Sequence, residues 1–207
     1  ISPGWFDMQV DFCDPGNEQK ETIASGATAA AAGGFTGVLV MPGTHPPIHS
    51  KSEVEYVIRK AAGNIVDVYP AGAITSGSEG KDMAELFDMH NASARAFTDG
   101  AKPINNAGTL VRTLLYAKNF DGKILTRCDE TSISGDGKMN EGVMSTSLGL
   151  KGIPAMAEEL MVARNIALAE YADASLHLQS ISTERSVTLI REAKKRGIGG
   201  ELICTIY

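Results

Sequence analysis

The chain has 207 residues, 43% of them hydrophobic and 21% charged, with a formal net charge of -6. That length suits one domain with a sizeable core, and an acidic balance with scattered Lys and Arg argues against a nucleic-acid or polyanion partner. No apolar run reaches the roughly 18 to 20 residues a membrane span needs. The opening Ile1-Ser2-Pro3-Gly4-Trp5 lacks the basic-then-apolar pattern of a signal peptide. It also lacks Met, so the natural N-terminus is expected upstream.

A first strand is predicted over residues 5–11, then a helix over 21–32 that stops at Gly33-Gly34. A second strand over 36–41 closes on Pro42-Gly43. A helix over 52–62 follows, with Ser50 or Ser52 as N-cap. Next come a strand over 67–74, a helix near 82–89, a strand over 94–98, a helix over 107–118 and a strand over 123–127. Residues 130–149, rich in Ser and Gly, read as a long loop. Its segment Ser134-Gly135-Asp136-Gly137-Lys138 has the glycines of a phosphate loop without Gly-Lys-Ser/Thr before a helix, and reads as a flexible lid. A long helix over 154–171, a strand over 175–180, a helix over 183–196 capped by Thr183 or Ser186, and a strand over 201–206 complete the chain.

Strand and helix thus alternate about seven times without a break in composition, which implies parallel strands joined by helical crossovers. An open doubly wound sheet and a (β/α)8 barrel are the competing layouts. No GxGxxG opens the first helix, which weakens the dinucleotide-binding version of the open sheet. Seven strands in line favour the barrel, one strand short of closure. An unclosed barrel leaves strand edges bare. Residues 1–207 are therefore expected to form one α/β barrel domain, about seven of its eight units, within a longer protein.

Cys13, Cys128 and Cys204 are far apart, odd in number and form no CxxC pair. A disulfide framework or zinc knuckle is not expected, and a reducing cytoplasm is. Asn91-Ala92-Ser93 matches a glycosylation triplet, a pattern that arises readily by chance.

Barrel chemistry sits at the C-terminal strand ends. The first strand ends Asp7-Met8-Gln9-Val10-Asp11, and alternation puts Gln9 and Asp11 on one face. The other ends read Met41-Pro42-Gly43-Thr44, Phe97-Thr98-Asp99-Gly100, Thr126-Arg127-Cys128-Asp129 and His177-Leu178-Gln179-Ser180.

These residues carry a resemblance. The run from Gly4 to Gly16, with Asp7, Gln9, Val10, Asp11, Cys13 and Pro15, resembles the dihydroorotase opening G-x-x-D-x-H-V-H-x-R-x-P-G. Lys20 to Gly26 and Ala30 to Thr36 are similar to the next family block. Met41-Pro42-Gly43-Thr44 resembles M-P-N-T, and Phe97-Thr98-Asp99 resembles F-S-D. Met139-Asn140-Glu141-Gly142 resembles M-N-E-G. Pro154-Ala155 with Ala157-Glu158-Glu159 resembles P-x-x-A-E-E, and Ile181-Ser182-Thr183 with Ser186 resembles H-V-S-T-x-x-S. By these blocks the chain resembles the dihydroorotase family of zinc amidohydrolases almost throughout, and the (β/α)8 amidohydrolase-type barrel is the fold this implies.

The matching blocks are scaffold, and the departures fall on function. The resemblance places the family's first-strand zinc histidines at Gln9 and Asp11, its strand-five histidine at Arg127 and its strand-six histidine at Ser180. Its substrate-clamping arginine falls on Cys13 and its substrate asparagine on Gly43. Asp99 alone keeps its type among these metal-associated positions, and the family's catalytic aspartate falls beyond Tyr207.

Zinc hydrolases lower the pKa of a bound water towards about 7 by means of imidazole and carboxylate ligands. A Gln amide is a weak ligand, a neutral Ser is another, and Arg127 brings a fixed positive charge that repels a cation. No zinc is therefore expected. An internal ion pair of Arg127 with Asp11 or Asp99 is expected in its place, and loss of the arginine clamp removes bidentate recognition of a carboxylate. Magnesium on Asp11 and Asp99 is the alternative. His45, His49, His90 and His177 show no HxH or HExxH spacing, and His177 is expected to be a packed or hydrogen-bonded histidine. Cys13 and Cys128 have no histidine partner in sequence reach to make a nucleophile.

The resemblance points to the family's noncatalytic members, some of which are structural partners of aspartate carbamoyltransferase. It implies a homo-oligomer in the cytoplasm with such a partner, and a role without hydrolysis. A working dihydroorotase or other cyclic-amide hydrolase with unusual ligands, and a small-molecule binding protein that keeps the pocket, are the other readings.

Overall fold

The computed structural model describes residues 2–197 and 201–206. The chain divides into two compact units: residues up to Lys102 with Asn119–Ile124, and Pro103–Lys118 with the residues from Leu125 onward.

The first unit contains β1 (Trp5–Val10), α1 (Ile23–Ala32), β2 (Phe35–Val40), α2 (Lys51–Ala61), β3 (Asp67–Gly72), α3 (Leu86–Asn91) and β4 (Ala96–Phe97). The strands pair in sequence order, all in parallel, and Phe97 pairs onward with Ile124. Local chemistry sets the boundaries. Thr22 and Ser25 form a reciprocal capping box at the start of α1, and Ser50 and Glu53 form another at α2. Gly34, at φ +83°, turns the chain out of α1 in a left-handed conformation that favours glycine. A side chain at Gly26 would collide with Phe12, whose ring lies 2.4 Å from the place a Cβ would take. Val38, Leu39 and Val40 are buried on both faces of β2, the pattern of a parallel strand covered on both sides.

The buried carboxylate of Asp14 ties this unit together. It accepts hydrogen bonds from Ile23 N–H at 3.1 Å, Tyr56 Oη at 3.0 Å and Lys60 Nζ at 2.8 Å, and so joins the turn after β1 to α1 and α2. Burial pushes its pKa up, but the bonds from Lys60, Ile23 and Tyr56 prevail and hold it below the usual carboxylate value. Asp14 in turn raises the pKa of Lys60.

The second unit contains α4 (Ala107–Ala117), β5 (Ile124–Arg127, from Leu125), α5 (Thr131–Ser134), β6 (Met139–Asn140), α6 (Val143–Ser147), β7 (Gly152–Ile153), α7 (Met156–Ala172), β8 (Leu176–Ile181), α8 (Glu184–Arg196) and β9 (Leu202–Ile206). Its main strands are ordered β5-β8-β9. Its core forms where α7 packs on α4 and α8, with Leu110, Leu114, Met161, Val162 and Ile190 buried. Thr183 caps α8, and Lys194, Lys195 and Arg196 occupy its last turn, where cations suit the helix dipole.

Three sequence expectations need correction. Residues 130–149 are not one long loop, because α5, β6 and α6 lie within them. The segment read as a flexible lid is pinned: Gly137 N–H donates to Ser134 O, Lys138 N–H donates to Lys151 O, and Lys151 pairs with Asp136. Elements of two to five residues carry too little periodicity to be seen in sequence. The third helix starts at Leu86 rather than near Asp82, because Thr75 and Met83 form an antiparallel bridge that holds the preceding residues extended. Among the described residues no helix is long and apolar enough to cross a membrane.

Candidate functional site

In the first unit, the end of β1 sets Gln9 and Asp11 one residue apart on either side of Val10. Gln9 N–H donates to Asp7 Oδ1 at 2.9 Å, and Cys13 N–H donates to Asp11 Oδ1 at 3.1 Å. Asp11 therefore caps the turn that follows the strand, where Cys13 sits at φ +57°. The Cys13 thiol is raised in pKa by burial and then by the nearby Asp11 carboxylate, the opposite of an activated nucleophile. Asp7, Asp11 and Glu21 share the lining of a cavity of about 240 Å³ with Val10 and Phe12. Gly43, at the end of β2, faces open space: a Cβ there would meet nothing within 4 Å.

Asp99 follows β4 and is buried. Its Oδ1 accepts Thr75 N–H at 2.9 Å and its Oδ2 accepts Thr75 Oγ1 at 2.5 Å. Thr75 Oγ1 also accepts Gly80 N–H at 2.8 Å, so Asp99 anchors the turn beyond β3. Burial raises the Asp99 pKa against the pull of the Thr75 bonds. No sequence signal marked Thr75 as the partner of this aspartate.

In the second unit, Arg127 ends β5 and Ser180 lies near the end of β8. With Cys128, Asp129, Glu158 and Thr183 they line a cavity of about 110 Å³. Arg127 is half-buried and forms no ion pair among the described residues of this unit. Ser180 adopts φ +58°, and its Oγ is buried without a hydrogen-bond partner among the described residues. The Cys128 thiol is pushed up to about 12, chiefly by burial, and accepts a bond from Asn165 Nδ2 at 3.6 Å. The structure thus brings Arg127 and Ser180 to one cavity in this unit, and places Gln9, Asp11, Cys13, Gly43 and Asp99 in the other.

His177 is buried, with Nε2 2.6 Å from Thr205 Oγ1, and burial lowers its pKa. It is the packed, hydrogen-bonded histidine the sequence suggested. His49 Nδ1 accepts Gly77 N–H at 3.3 Å and links two loops of the first unit.

The charge pairing expected of Arg127, in the second unit, is with Asp11 or Asp99, in the first. Within the first unit both carboxylates already have local donors, so their stability there does not require a guanidinium. The donor chemistry also bears on zinc. The four family positions offer an amide, a hydrogen-bonded carboxylate, a permanent cation and an alcohol, a set that does not fit zinc. Among the described residues, no group of three or more His, Cys, Asp or Glu is placed to hold a metal ion.

Known structures show the same fold. The L-hydantoinase (dihydropyrimidinase) of Arthrobacter aurescens superposes with a TM-score of 0.75 at 20% identity, over 97% of this chain and 46% of that one. A D-hydantoinase superposes with a TM-score of 0.69 at 22% identity and the same coverage. The chain therefore has the β/α barrel fold of these proteins over the part that it covers. In sequence, the dihydroorotase of Syntrophus aciditrophicus is 45% identical over 199 residues, 96% of this chain and 47% of the relative. That of Pelotomaculum thermopropionicum is 46% identical over 198 residues, with 96% and 46% covered. The chain spans about half the length of these curated relatives. The family model for dihydro-orotase-like proteins matches residues 1–186, and the chain belongs to that family.

Proposed function

We propose that the chain is part of a dihydroorotase-like protein of pyrimidine biosynthesis that holds no zinc, hydrolyses no cyclic amide and acts as a structural or regulatory subunit. One observation carries this reading: Gln9, Asp11, Arg127 and Ser180 stand where the family resemblance places zinc histidines. When bound, zinc would supply hydroxide at neutral pH. These residues instead cap a turn, end a strand with a cation and bury an unpartnered hydroxyl. Cys13 and Gly43, at the substrate-clamping positions, offer neither the charge nor the amide that would hold a carboxylate. The partner in this reading is aspartate carbamoyltransferase, with the chain itself part of a cytoplasmic homo-oligomer, and neither nucleic acid nor membrane is involved.

The test is metal analysis of the intact protein together with a dihydroorotate hydrolysis assay and co-purification with a carbamoyltransferase. Metal-free protein, background hydrolysis and a stable complex are expected. A zinc-dependent turnover number in the ordinary range of about 1 to 1,000 per second, abolished by Asp99→Ala, would overturn the reading. A working dihydroorotase with unusual ligands is the second reading, favoured by the 45% to 46% identity to relatives that bear that name. The same assay separates the two.

A further inference from the structure

Two of the family-like blocks have no part in the chemistry read from the strand ends: Ala157-Glu158-Glu159, and Ser182-Thr183 with Ser186. In the second unit they meet at one carboxylate. Glu158, in the first turn of α7, accepts Ser182 N–H at 3.0 Å and Ser182 Oγ at 2.6 Å on Oε2. On Oε1 it accepts Thr183 N–H at 3.0 Å and Thr183 Oγ1 at 3.0 Å. Thr183 Oγ1 lies 2.7 Å from Ser186 Oγ and accepts Ser186 N–H at 3.2 Å. All these donors are neutral and all lie in the turn into α8 or in its first turn.

A helix start leaves backbone N–H groups without intrahelical partners and carries a partial positive charge. Thr183, the N-cap, serves one of them, and Glu158 serves Ser182 and Thr183, just before α8, from another helix. A residue at positive φ with a side chain costs energy and persists only where its surroundings hold it. Ser180, two residues before Ser182, is such a residue, and its own hydroxyl contributes no bond among the described residues. The restraint on this turn must come from its other end.

We infer that Glu158 is a positioning residue: from α7 it closes the start of α8 and fixes the turn between β8 and α8 that holds Ser180 in its left-handed conformation. Glu158 works as a tertiary cap and not as an ion-pair partner, since Arg185 lies 3.9 Å from Glu159 instead. This role is independent of whether the site ever holds a metal, so it stands or falls apart from the proposed function.

Amide hydrogen exchange and backbone carbon chemical shifts of the intact protein test it, compared between wild type and Glu158→Gln. Gln keeps the shape but aims a donor at groups that are themselves donors. Exchange at the Ser182 and Thr183 amides should rise at least about tenfold, with the middle of α8 unchanged, and the Ser180 shifts should leave their left-handed values. Ser182→Ala removes one of the donors and should give a smaller change at the same amides, which keeps the test open if Glu158→Gln does not fold. Unchanged exchange at Ser182 and Thr183, or a uniform rise throughout the second unit, would overturn the inference: the first means the turn holds itself, the second that Glu158 only adds general stability.

Discussion

The Asp14 cluster of the first unit and Arg127 and Ser180 of the second make opposite use of polar groups. Asp14 is buried, and its carboxylate receives three donors from three different elements. Among the described residues of its unit Arg127 has no ion pair, and Ser180 buries an oxygen without a hydrogen-bond partner. A buried polar group left unpaired costs about 1–3 kcal/mol, whereas a satisfied one holds the fold together. The carboxylate of Asp14 is thus fully engaged, as those of Asp11 and Asp99 are by local donors, whereas, among the described residues of their unit, the side chains of Arg127 and Ser180 are not.

The largest effect that would break this contrast is recovery of metal. Retention of zinc through dialysis, measured by elemental analysis, should require at least Gln9→His, Asp11→His, Arg127→His and Ser180→His together. Each single replacement should leave the protein metal-free, because one imidazole does not make a site. Zinc retention by the unaltered protein would show that the positions are not vacated at all.

Next in size is the scaffold itself. Asp14→Ala should lower unfolding free energy by about 2–4 kcal/mol, since it strands a lysine, a tyrosine hydroxyl and a helix-start amide, with Lys60 partly relieved by solvent. Urea unfolding measures this. The sign with pH follows from the lowered folded-state pKa of Asp14. Its contribution is fully present above the unfolded value of about 3.9 and is lost as pH falls through the lower folded value. Stability of Asp14→Ala should therefore converge on wild type in acid.

Arg127→Met sharpens the contrast from the other side. With Asp11 and Asp99 served by Cys13 and Thr75, the change should stay within about 0.5 kcal/mol by the same urea method. A loss of about 3–5 kcal/mol would show that the guanidinium neutralises those carboxylates after all.

The smallest effect belongs to His177. Burial lowers its pKa, so the folded form resists protonation while the unfolded chain protonates near 6.5. Stability from this group is present above that value and is lost as pH falls towards the folded pKa. His177→Gln should flatten the decline in melting temperature between pH 7 and pH 5.

Much of this was legible in sequence because the signals are local. The run Val38-Leu39-Val40, the Gly33-Gly34 stop, and the caps Ser50 and Thr183 each act within a few residues, and the strands and long helices fall close to expectation. The short elements between Thr131 and Ile153 escaped because they rest on contacts such as Lys138 with Lys151 rather than on periodicity. The site was legible only as substitutions against a family pattern. Its actual bonds, Thr75 on Asp99 and Ser182 on Glu158, join residues 24 apart in both cases, and no composition or spacing marks them. The division into two compact units likewise left no trace in composition.

Cys13 and Ser180, at two of the altered family positions, both hold positive φ without being glycine. Such a conformation costs about 1–2 kcal/mol for an ordinary side chain, and histidine is among the residues that enter it more readily than most. The main chain at Ser180 therefore already suits the imidazole that the family resemblance places there, and Gly43 leaves open room for a side chain. An imidazole at Ser180 would thus need a substitution alone and no change in the conformation of the main chain there.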